Sequence, residues 1–251
     1  LLPALTARMV TLNGTEYTFM HDSMHEAALS LLVDNDWDDF HYAALQYYRR
    51  QSRLESTNAL LFRAAHHLLS LKDLSCLTHD AHEMCQLMLK TAQRAKITGD
   101  YVSALRYLTV ARSVHRNAGY EESLEFLQEE AECEFLNGNL PAALELSNRI
   151  HALPGEMTDK AEAACLIAEI HLRQSDSYLA LETALGWLAV FDIKLSLNPV
   201  QAECDEARIA LKEAVGKNPY TRFRSLPLVT CKKTAAIMNL LASASTFAAF
   251  I

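Results

Sequence analysis

Apolar residues recur at steps of three and four along most of this chain, and that spacing predicts helices. The clearest run places Leu124, Leu127, Ala131 and Phe135 on one helical face. A second face follows Thr158, which we predict to be an N-cap. It is rich in small residues and consists of Ala161, Ala164, Cys165, Ala168 and Leu172. Small side chains let neighbouring helices approach closely, as a stacked array requires.

One helical-hairpin pattern occurs twice within residues 84–150. The first copy has its turn at Gly99, and Ala104-Leu105 begins five residues later. The second has its turn at Gly138, 39 residues after the first, with Ala143-Leu144 again five residues on. A period of this size is typical of a two-helix repeat, and tetratricopeptide-like (TPR-like) hairpins turn on a small residue.

A third, weaker copy turns at Ser175, 37 residues after Gly138, and keeps Ala180-Leu181. The three copies predict an all-α fold, a TPR-like helical-hairpin array or α-solenoid, over residues 81–251. Stacked hairpins expose a continuous concave surface, so we expect this surface to bind a protein or peptide.

The N-terminal region carries the one convincing β signal. Two short alternating runs, at residues 10–12 and 17–19, flank Asn13-Gly14, a pair that favours a tight hairpin with φ > 0 at both turn positions. Helix-like residues precede and follow it, which suggests the wing of a small winged-helix unit. We predict three parts: residues 1–33 as the C-terminal part of that unit, 34–80 as linking helices, and 81–251 as the repeats.

The linking region begins with an acidic patch at residues 34–39. An EF-hand calcium loop requires glycine at its sixth place and glutamate at its twelfth, which here are Asp39 and Leu45. We therefore interpret the patch as a turn in which Asp36 caps a helix over residues 37–53. A second helix is predicted over residues 57–71, before residues 75–80 break the pattern.

Two further helices are predicted near the C-terminal end. Pro199 opens the first, over residues 199–215, and residues 220–230 are expected to be irregular. The second covers residues 234–251, 18 positions without a charge, which is short for a membrane span. Its polar positions, such as Asn239 and Ser243, favour an array helix over a membrane helix. The array would then be truncated at its C-terminal end.

Composition agrees with a helical protein, because 251 residues include only seven glycines and six prolines. The formal net charge of −8 gives no excess of basic residues for binding nucleic acid, so we expect no direct contact with DNA or RNA.

Six scattered cysteines predict reduced, mostly buried thiols of a cytoplasmic protein. The chain opens Leu1-Leu2-Pro3 without an initiator methionine, as a segment of a longer protein would.

Candidate metal chemistry centres on histidine and cysteine. His21 and His25 have the spacing of a zinc-protease helix, but Asp22 stands where that motif needs glutamate, and no third ligand is evident. A second set recurs every three residues and consists of Cys76, His79, His82 and Cys85. On one helix the outer two cysteines fall on opposite faces, so four ligands do not converge. We predict no metal site here, and His66-His67 as one packed and one solvated imidazole.

No GxxxxGK[ST], GxGxxG or GxSxG motif occurs, which argues against an autonomous nucleotide-binding or acyl-transfer enzyme. We therefore predict no catalytic residue in this segment. A freestanding helical metal-dependent enzyme is the least favoured alternative.

Several stretches of the chain resemble a known family. TFMHDSMHEAA at residues 18–28 follows the hairpin and resembles the end of the winged-helix part of STAND-class signalling ATPases, with its F-x-H-D-x-x-x-x-A-A pattern. The helical repeats that follow that ATPase in large hybrid proteins are similar to three further stretches of this chain: AQRAK at 92–96, ALRYL at 104–108 and AAIMNLL at 235–241. Those proteins also carry serine/threonine-kinase-like, GAF and histidine-kinase modules. The resemblance covers nearly the whole chain.

The resemblance implies a role for His21. In the nucleotide-binding relatives, the histidine of a Met-His-Asp triplet touches the phosphate of bound ADP, and His21 matches that position. An imidazole can donate a hydrogen bond to a phosphate oxygen. The phosphate loop would lie upstream of Leu1, so ATP or ADP and Mg would belong to the parent protein, and this segment holds no cofactor alone.

The resemblance implies a non-catalytic regulatory and interaction arm of a cytoplasmic signal-transduction ATPase and kinase. Binding of a protein or peptide on the repeats would be coupled to the neighbouring ATPase and kinase domains. The alternative on the same scaffold is the regulatory repeat arm of a STAND-type transcription activator, whose DNA-binding domain would follow Ile251.

Overall fold

A computed structural model describes residues 2–14, 16–31, 34–54, 57–216, 224 and 226–251. Its architecture is an all-α helical array with one β-hairpin near the N-terminus, as the sequence predicts. The helices are α1 (Leu2–Thr6), α2 (Asp22–Ser30), α3 (Asp34–Leu54), α4 (Asn58–Leu69), α5 (Ala81–Ile97), α6 (Tyr101–Asn117), α7 (Leu124–Leu136), α8 (Leu140–Ala152), α9 (Met157–Arg173), α10 (Ser177–Val190), α11 (Gln201–Val215) and α12 (Lys232–Ala248). A 3-10 helix covers Ser75–Asp80, where the sequence pattern breaks.

The predicted hairpin is present, with its turn shifted by one residue. Strand β1 (Val10–Asn13) pairs antiparallel with β2 (Glu16–Phe19), and Val10 lies opposite Phe19. Asn13 pairs with Glu16, so Asn13 ends β1 and does not occupy the turn as we predicted. Gly14 follows with φ of 65°, a conformation that costs glycine little. Strand pairing at Asn13 therefore prevails over its turn preference.

The chain divides into two compact units. Unit 1 comprises residues 1–95 and 109–121, and unit 2 comprises residues 96–108 and 122–251. The division proposed from the sequence, at residues 33 and 80, stays a prediction.

In unit 1, α3 packs against α4, with Leu45 and Leu68 fully buried. Helix α3 begins at Asp34, three residues earlier than predicted, so Asp36 lies inside the helix and is not its N-cap. The acidic patch therefore forms the beginning of α3 instead of a turn before it. Thr57 does cap α4, since its Oγ1 accepts a hydrogen bond from the Leu60 N–H at 3.4 Å.

In unit 2, α7 packs on α8, α9 packs on both α8 and α10, and α12 packs on both α9 and α10. Buried alanines such as Ala168 and Ala184 bring α9, α10 and α12 into one core with Leu240 and Phe247. Helix α9 starts at Met157 after Glu156, so Thr158 is inside the helix and is not its N-cap. Thr158 Oγ1 instead donates to the Glu156 carboxylate at 3.3 Å.

The region between α10 and α12 is described only in part. Helix α11 begins at Gln201, two residues after Pro199, and buries none of its side chains. Of the stretch predicted to be irregular, residues 220–223 and 225 lie outside the described part of the chain, while residues 226–230 form no helix or strand, as predicted. Helix α12 starts at Lys232, slightly before the predicted start. In the described ranges, no helix is both long enough and apolar enough to cross a membrane.

The three predicted hairpin turns share one backbone geometry. Gly99, Gly138 and Ser175 have φ of 82°, 86° and 68°, the left-handed region that typically ends a helix. In each, the N–H of the turn residue donates to the carbonyl three residues earlier, at 2.9 to 3.1 Å. All three turns that the sequence predicts are therefore present, including the weaker one at Ser175.

Gly138→Ala is expected to destabilise unit 2 by about 1 kcal/mol. The reason is conformational, since an alanine Cβ would find open space but φ of +86° is strained for an L-residue. Gly186→Ala, the matched control inside α10, also meets open space and has no positive φ, so it should stabilise by about 0.5 to 1 kcal/mol. Urea unfolding of both variants measures the difference, and equal shifts would contradict the left-handed turn.

Candidate functional site

A groove in unit 2 follows helix α9 between α7 and α12. Its larger part has a volume of about 420 Å³ and is lined by Glu132, Phe135, Leu136, Glu162, Cys165, Leu166, Glu169 and Asn239. A cleft of about 290 Å³ shares Glu169 and is lined also by Leu172, Arg173, Ala242, Ser243, Thr246 and Phe247. The groove is thus formed by α7 and α9, the first helices of two successive hairpins, together with α12.

Helix periodicity explains why α9 forms the floor. Glu162, Leu166, Glu169 and Arg173 recur at steps of four, three and four, so they share one face. The face with Ala161, Ala164 and Ala168 is buried. Cys165 and Leu172, which we predicted on the packed face, are only partly buried and line the edge of the groove. One helix therefore supplies both core and groove.

The apolar part of the groove comes from α7 and α9. Phe135 is almost wholly buried, whereas Leu136 beside it is 41% exposed. The Arg173 guanidinium lies over the Phe135 ring, with Cζ 4.0 Å from the ring centroid. An arginine so placed is attracted to the ring face. The groove therefore offers apolar contact area next to polar groups, which is the usual composition of a binding site.

The carboxylates of Glu162 and Glu169 are exposed in the groove. Among the described residues, neither carboxylate makes a hydrogen bond or an ion pair. Partial burial raises the pKa of Glu162, nearby Asp159 and Glu132 raise it further, and Lys232 lowers it in part. Partial burial also raises the pKa of Glu169, which Arg173 lowers and Glu132 raises. At both carboxyls, burial and like charge therefore outweigh the effect of the nearby cation.

Glu132 differs because it has a partner. The Lys96 ammonium donates to Glu129 at 2.5 Å and to Glu132 at 2.6 Å. Burial acts to lower the pKa of Lys96, but the two hydrogen-bonded carboxylates raise it overall. Glu132 is therefore held by Lys96, whereas Glu162 and Glu169 have no such ion pair among the described residues.

Cys165 is the one thiol lining the larger part of the groove. Burial raises the pKa of the Cys165 thiol to about 11, so the thiol stays protonated near neutral pH. Cys85 and Cys133 are buried, whereas Cys76, Cys204 and Cys231 are exposed, which corrects our prediction of mostly buried cysteines. All six are free thiols.

The residues considered for metal binding are not brought together. Cys85 is buried, with its Sγ donating to the Ala111 carbonyl at 3.3 Å, while Cys76 is exposed and donates to the Asp73 carbonyl at 3.5 Å. His79 lies in the 3-10 helix and His82 in α5. Within the described ranges, no group of three or more His, Cys, Asp or Glu side chains is placed to hold a metal ion.

His21 lies at the N-cap of α2, with extended backbone (φ −142°, ψ 143°) and an exposed side chain that caps no helical N–H. His25, four residues later, is inside α2, and its ring lies 5.2 Å from the Phe19 ring of the hairpin. The two histidines therefore do not share a helical face as in a zinc protease. The nucleotide role of His21 stays a prediction.

A histidine pair in unit 1 joins α3 to α4. The Nδ1 atoms of His41 and His67 are 2.9 Å apart, and His41 is only 8% exposed. Trp37 stacks on His41, and Tyr48 stacks on His67. One Nδ1 must donate and the other accept, so at least one imidazole is neutral. His67 is partly buried and His66 exposed, as we predicted for that pair.

Sequence reasoning missed the groove carboxylates. Glu162 and Glu169 are seven positions apart, a spacing that places them on one side of a helix. The seven-residue spacing is visible in the sequence, but it does not distinguish a helix face that lines a groove from one that faces only solvent. Glu132, more than 25 residues away in sequence, joins them only because α7 lies beside α9.

Comparison with known proteins adds no relative: no protein-family model and no curated protein matches the chain.

Proposed function

We propose that this chain is the regulatory and protein-interaction arm of a cytoplasmic STAND-type signalling ATPase associated with kinase modules. Its repeats bind a protein partner in the groove along α9. The observation that supports binding is the groove itself, which α7, α9 and α12 form and which combines exposed apolar area with the carboxylates of Glu162 and Glu169 on α9. The resemblance of residues 18–28 to the ATPase family motif supports the parentage.

Partner binding acts mechanically in this proposal. Helix α9 lies in the core with α10 and α12, so a ligand that displaces its groove face also strains the packing of Ala161 and Ala168. In a tightly packed core, such a strain is relieved by a movement of whole helices. That movement changes the position of the domains to which the helices are connected. His21 would contact nucleotide when the upstream ATPase module is present.

The parentage is tested by the reading frame on both sides of the chain. We expect a phosphate-loop lysine upstream, and a histidine-kinase module downstream. An open reading frame without a phosphate loop would remove the ATPase from the proposal and the nucleotide role from His21.

Blocking the groove tests the coupling. Ala242→Trp places a large ring in the cleft from an exposed position of α12, whereas Ala189→Trp makes the same change at an exposed position of α10 that does not line the groove. In the full-length protein, expressed in its own cells, we expect Ala242→Trp to change ATPase or kinase output several-fold and Ala189→Trp to leave it unchanged. Equal outputs of the two variants and the wild type would contradict a regulatory groove.

A further inference from the structure

We propose that the segment bound in the groove is cationic and amphipathic, with two lysine or arginine side chains about 10 Å apart beside an apolar anchor. This inference rests on the proposed function of the groove and specifies the chemistry of its partner. It is carried by the charge and shape of the groove in unit 2.

The spacing of the cations follows from α9. Glu162 and Glu169 are seven residues apart on one helix face, and a rise of about 1.5 Å per residue separates them by about 10 Å along the axis. Two basic residues seven apart on a partner helix have the same separation. An extended segment reaches it with basic residues three apart, at about 3.3 Å per residue.

The sign of the partner's charge follows from the balance of charge around the two groove carboxylates. Lys96 is engaged by Glu129 and Glu132, and Arg173 lies over Phe135. No described cation forms an ion pair with Glu162 or Glu169, and burial and like charges raise the pKa of both carboxyls although Lys232 acts to lower that of Glu162 and Arg173 that of Glu169. A bound ammonium or guanidinium relieves this repulsion, whereas an acidic segment increases it.

The apolar lining argues for a peptide over a small hydrated cation. Leu136 and Leu166 line the same part of the groove as the two carboxylates. A hydrated ion gains nothing from such contacts, and the described residues offer no set of three metal-ligating side chains. A leucine or similar anchor gains by burial there, at roughly 25 cal/mol per Å² of apolar surface.

Model peptides test the inference. The probes are two labelled 18-residue amphipathic helices, one of leucine and lysine and one of leucine and glutamate, titrated with the 251-residue chain by fluorescence anisotropy. We expect the lysine peptide to bind and the glutamate peptide not to. The double variant Glu162→Gln, Glu169→Gln should weaken the lysine peptide about tenfold, and added salt should weaken it further.

A matched double variant excludes general attraction to an acidic protein. Glu145 on α8 and Glu182 on α10 are exposed and do not line the groove. Changing both to glutamine removes the same net charge and should alter affinity by less than about twofold. Equal weakening by the two double variants would overturn the inference, because binding would then follow net charge alone.

The remaining outcomes separate this inference from the proposed function. If both peptides bind equally and Ala242→Trp prevents both, the groove binds protein but does not select cations, so only the inference fails. If neither peptide binds, the inference fails as well. The proposed function is then judged independently, by the output of the Ala242→Trp and Ala189→Trp full-length proteins.

Discussion

Truncation of Phe247 to alanine is expected to cost unit 2 about 4 kcal/mol, close to the full stability of many small domains. Phe247 is 1% exposed and belongs to the core that α12 forms with α9 and α10. Removing its ring leaves a cavity in this core, which tight packing allows to close only in part. Urea or thermal unfolding, followed by the circular dichroism of the helices, measures the loss.

Phe250→Ala is the matched control for this prediction. Phe250 lies just past the end of α12, is 66% exposed, and should change stability by less than about 0.5 kcal/mol. If the two truncations have equal effects, α12 is not docked on α9 and α10. The Asn239 and Ala242 side of the groove would then be lost as well, and with it both proposals for that site.

Acidification is expected to destabilise unit 1 through His41 and His67. Burial, with the neighbouring His41 and His66, lowers the pKa of His67 from 6.5 to about 4. Burial and His66 also lower the pKa of His41, which Asp38 raises in part. Both imidazoles are therefore neutral in the folded protein near pH 7. Their contribution to stability is complete above about pH 6.5 and is lost as the pH falls towards about 4.

The loss should be about 2 kcal/mol, after allowance for the partial exposure of His67. The groups around the pair are Asp38, Trp37 and Tyr48 from α3, and His66 and Arg63 from α4, with the Arg63 guanidinium 5.8 Å from the Tyr48 ring centroid. In a Trp187→Phe background, Trp37 fluorescence reports the unfolding of unit 1 in urea at a series of pH values.

His67→Phe tests the origin of the effect. Phenylalanine keeps a ring to stack on Tyr48 but cannot be protonated, so the pH dependence between about 7 and about 4 should fall by more than half. His79→Gln, a change at an exposed imidazole of the 3-10 helix, serves as the control and should leave the wild-type dependence in place. If the stability of the His67→Phe variant depends on pH as strongly as that of the wild type, groups other than His67 cause the acid destabilisation.

Local signals were sufficient for most helices and for their repeat. Gly99 and Gly138 predicted turns because a residue with φ > 0 ends a helix most cheaply when it is glycine, and both turns are found there. Ser175 has the same backbone conformation without being glycine. The turn at Ser175 was predicted from the repeat spacing alone, because a serine stands there in place of the glycine of the other two copies.

Boundary errors arose where side chains had two local uses. Asp36 and Thr158 are common N-cap residues, but α3 begins at Asp34 and α9 at Met157, so each lies within its helix. Asn13 favours turns, yet it pairs with Glu16 in the hairpin. Each of these three residues is compatible with two local positions, a cap or turn and the interior of a helix or strand. The sequence alone does not decide which position the residue takes.

The class of fold follows from local signals, because apolar spacing, scarce glycines and prolines, and two glycine turns each act over a few residues. The groove depends instead on helix packing, since Glu132, Glu162 and Asn239 come from α7, α9 and α12 and converge only when these helices pack together. The same holds for His41 and His67, 26 residues apart, whose 2.9 Å contact depends on the pairing of α3 with α4. A site formed by several helices depends on contacts between residues that are distant in sequence, and local periodicity does not predict such contacts.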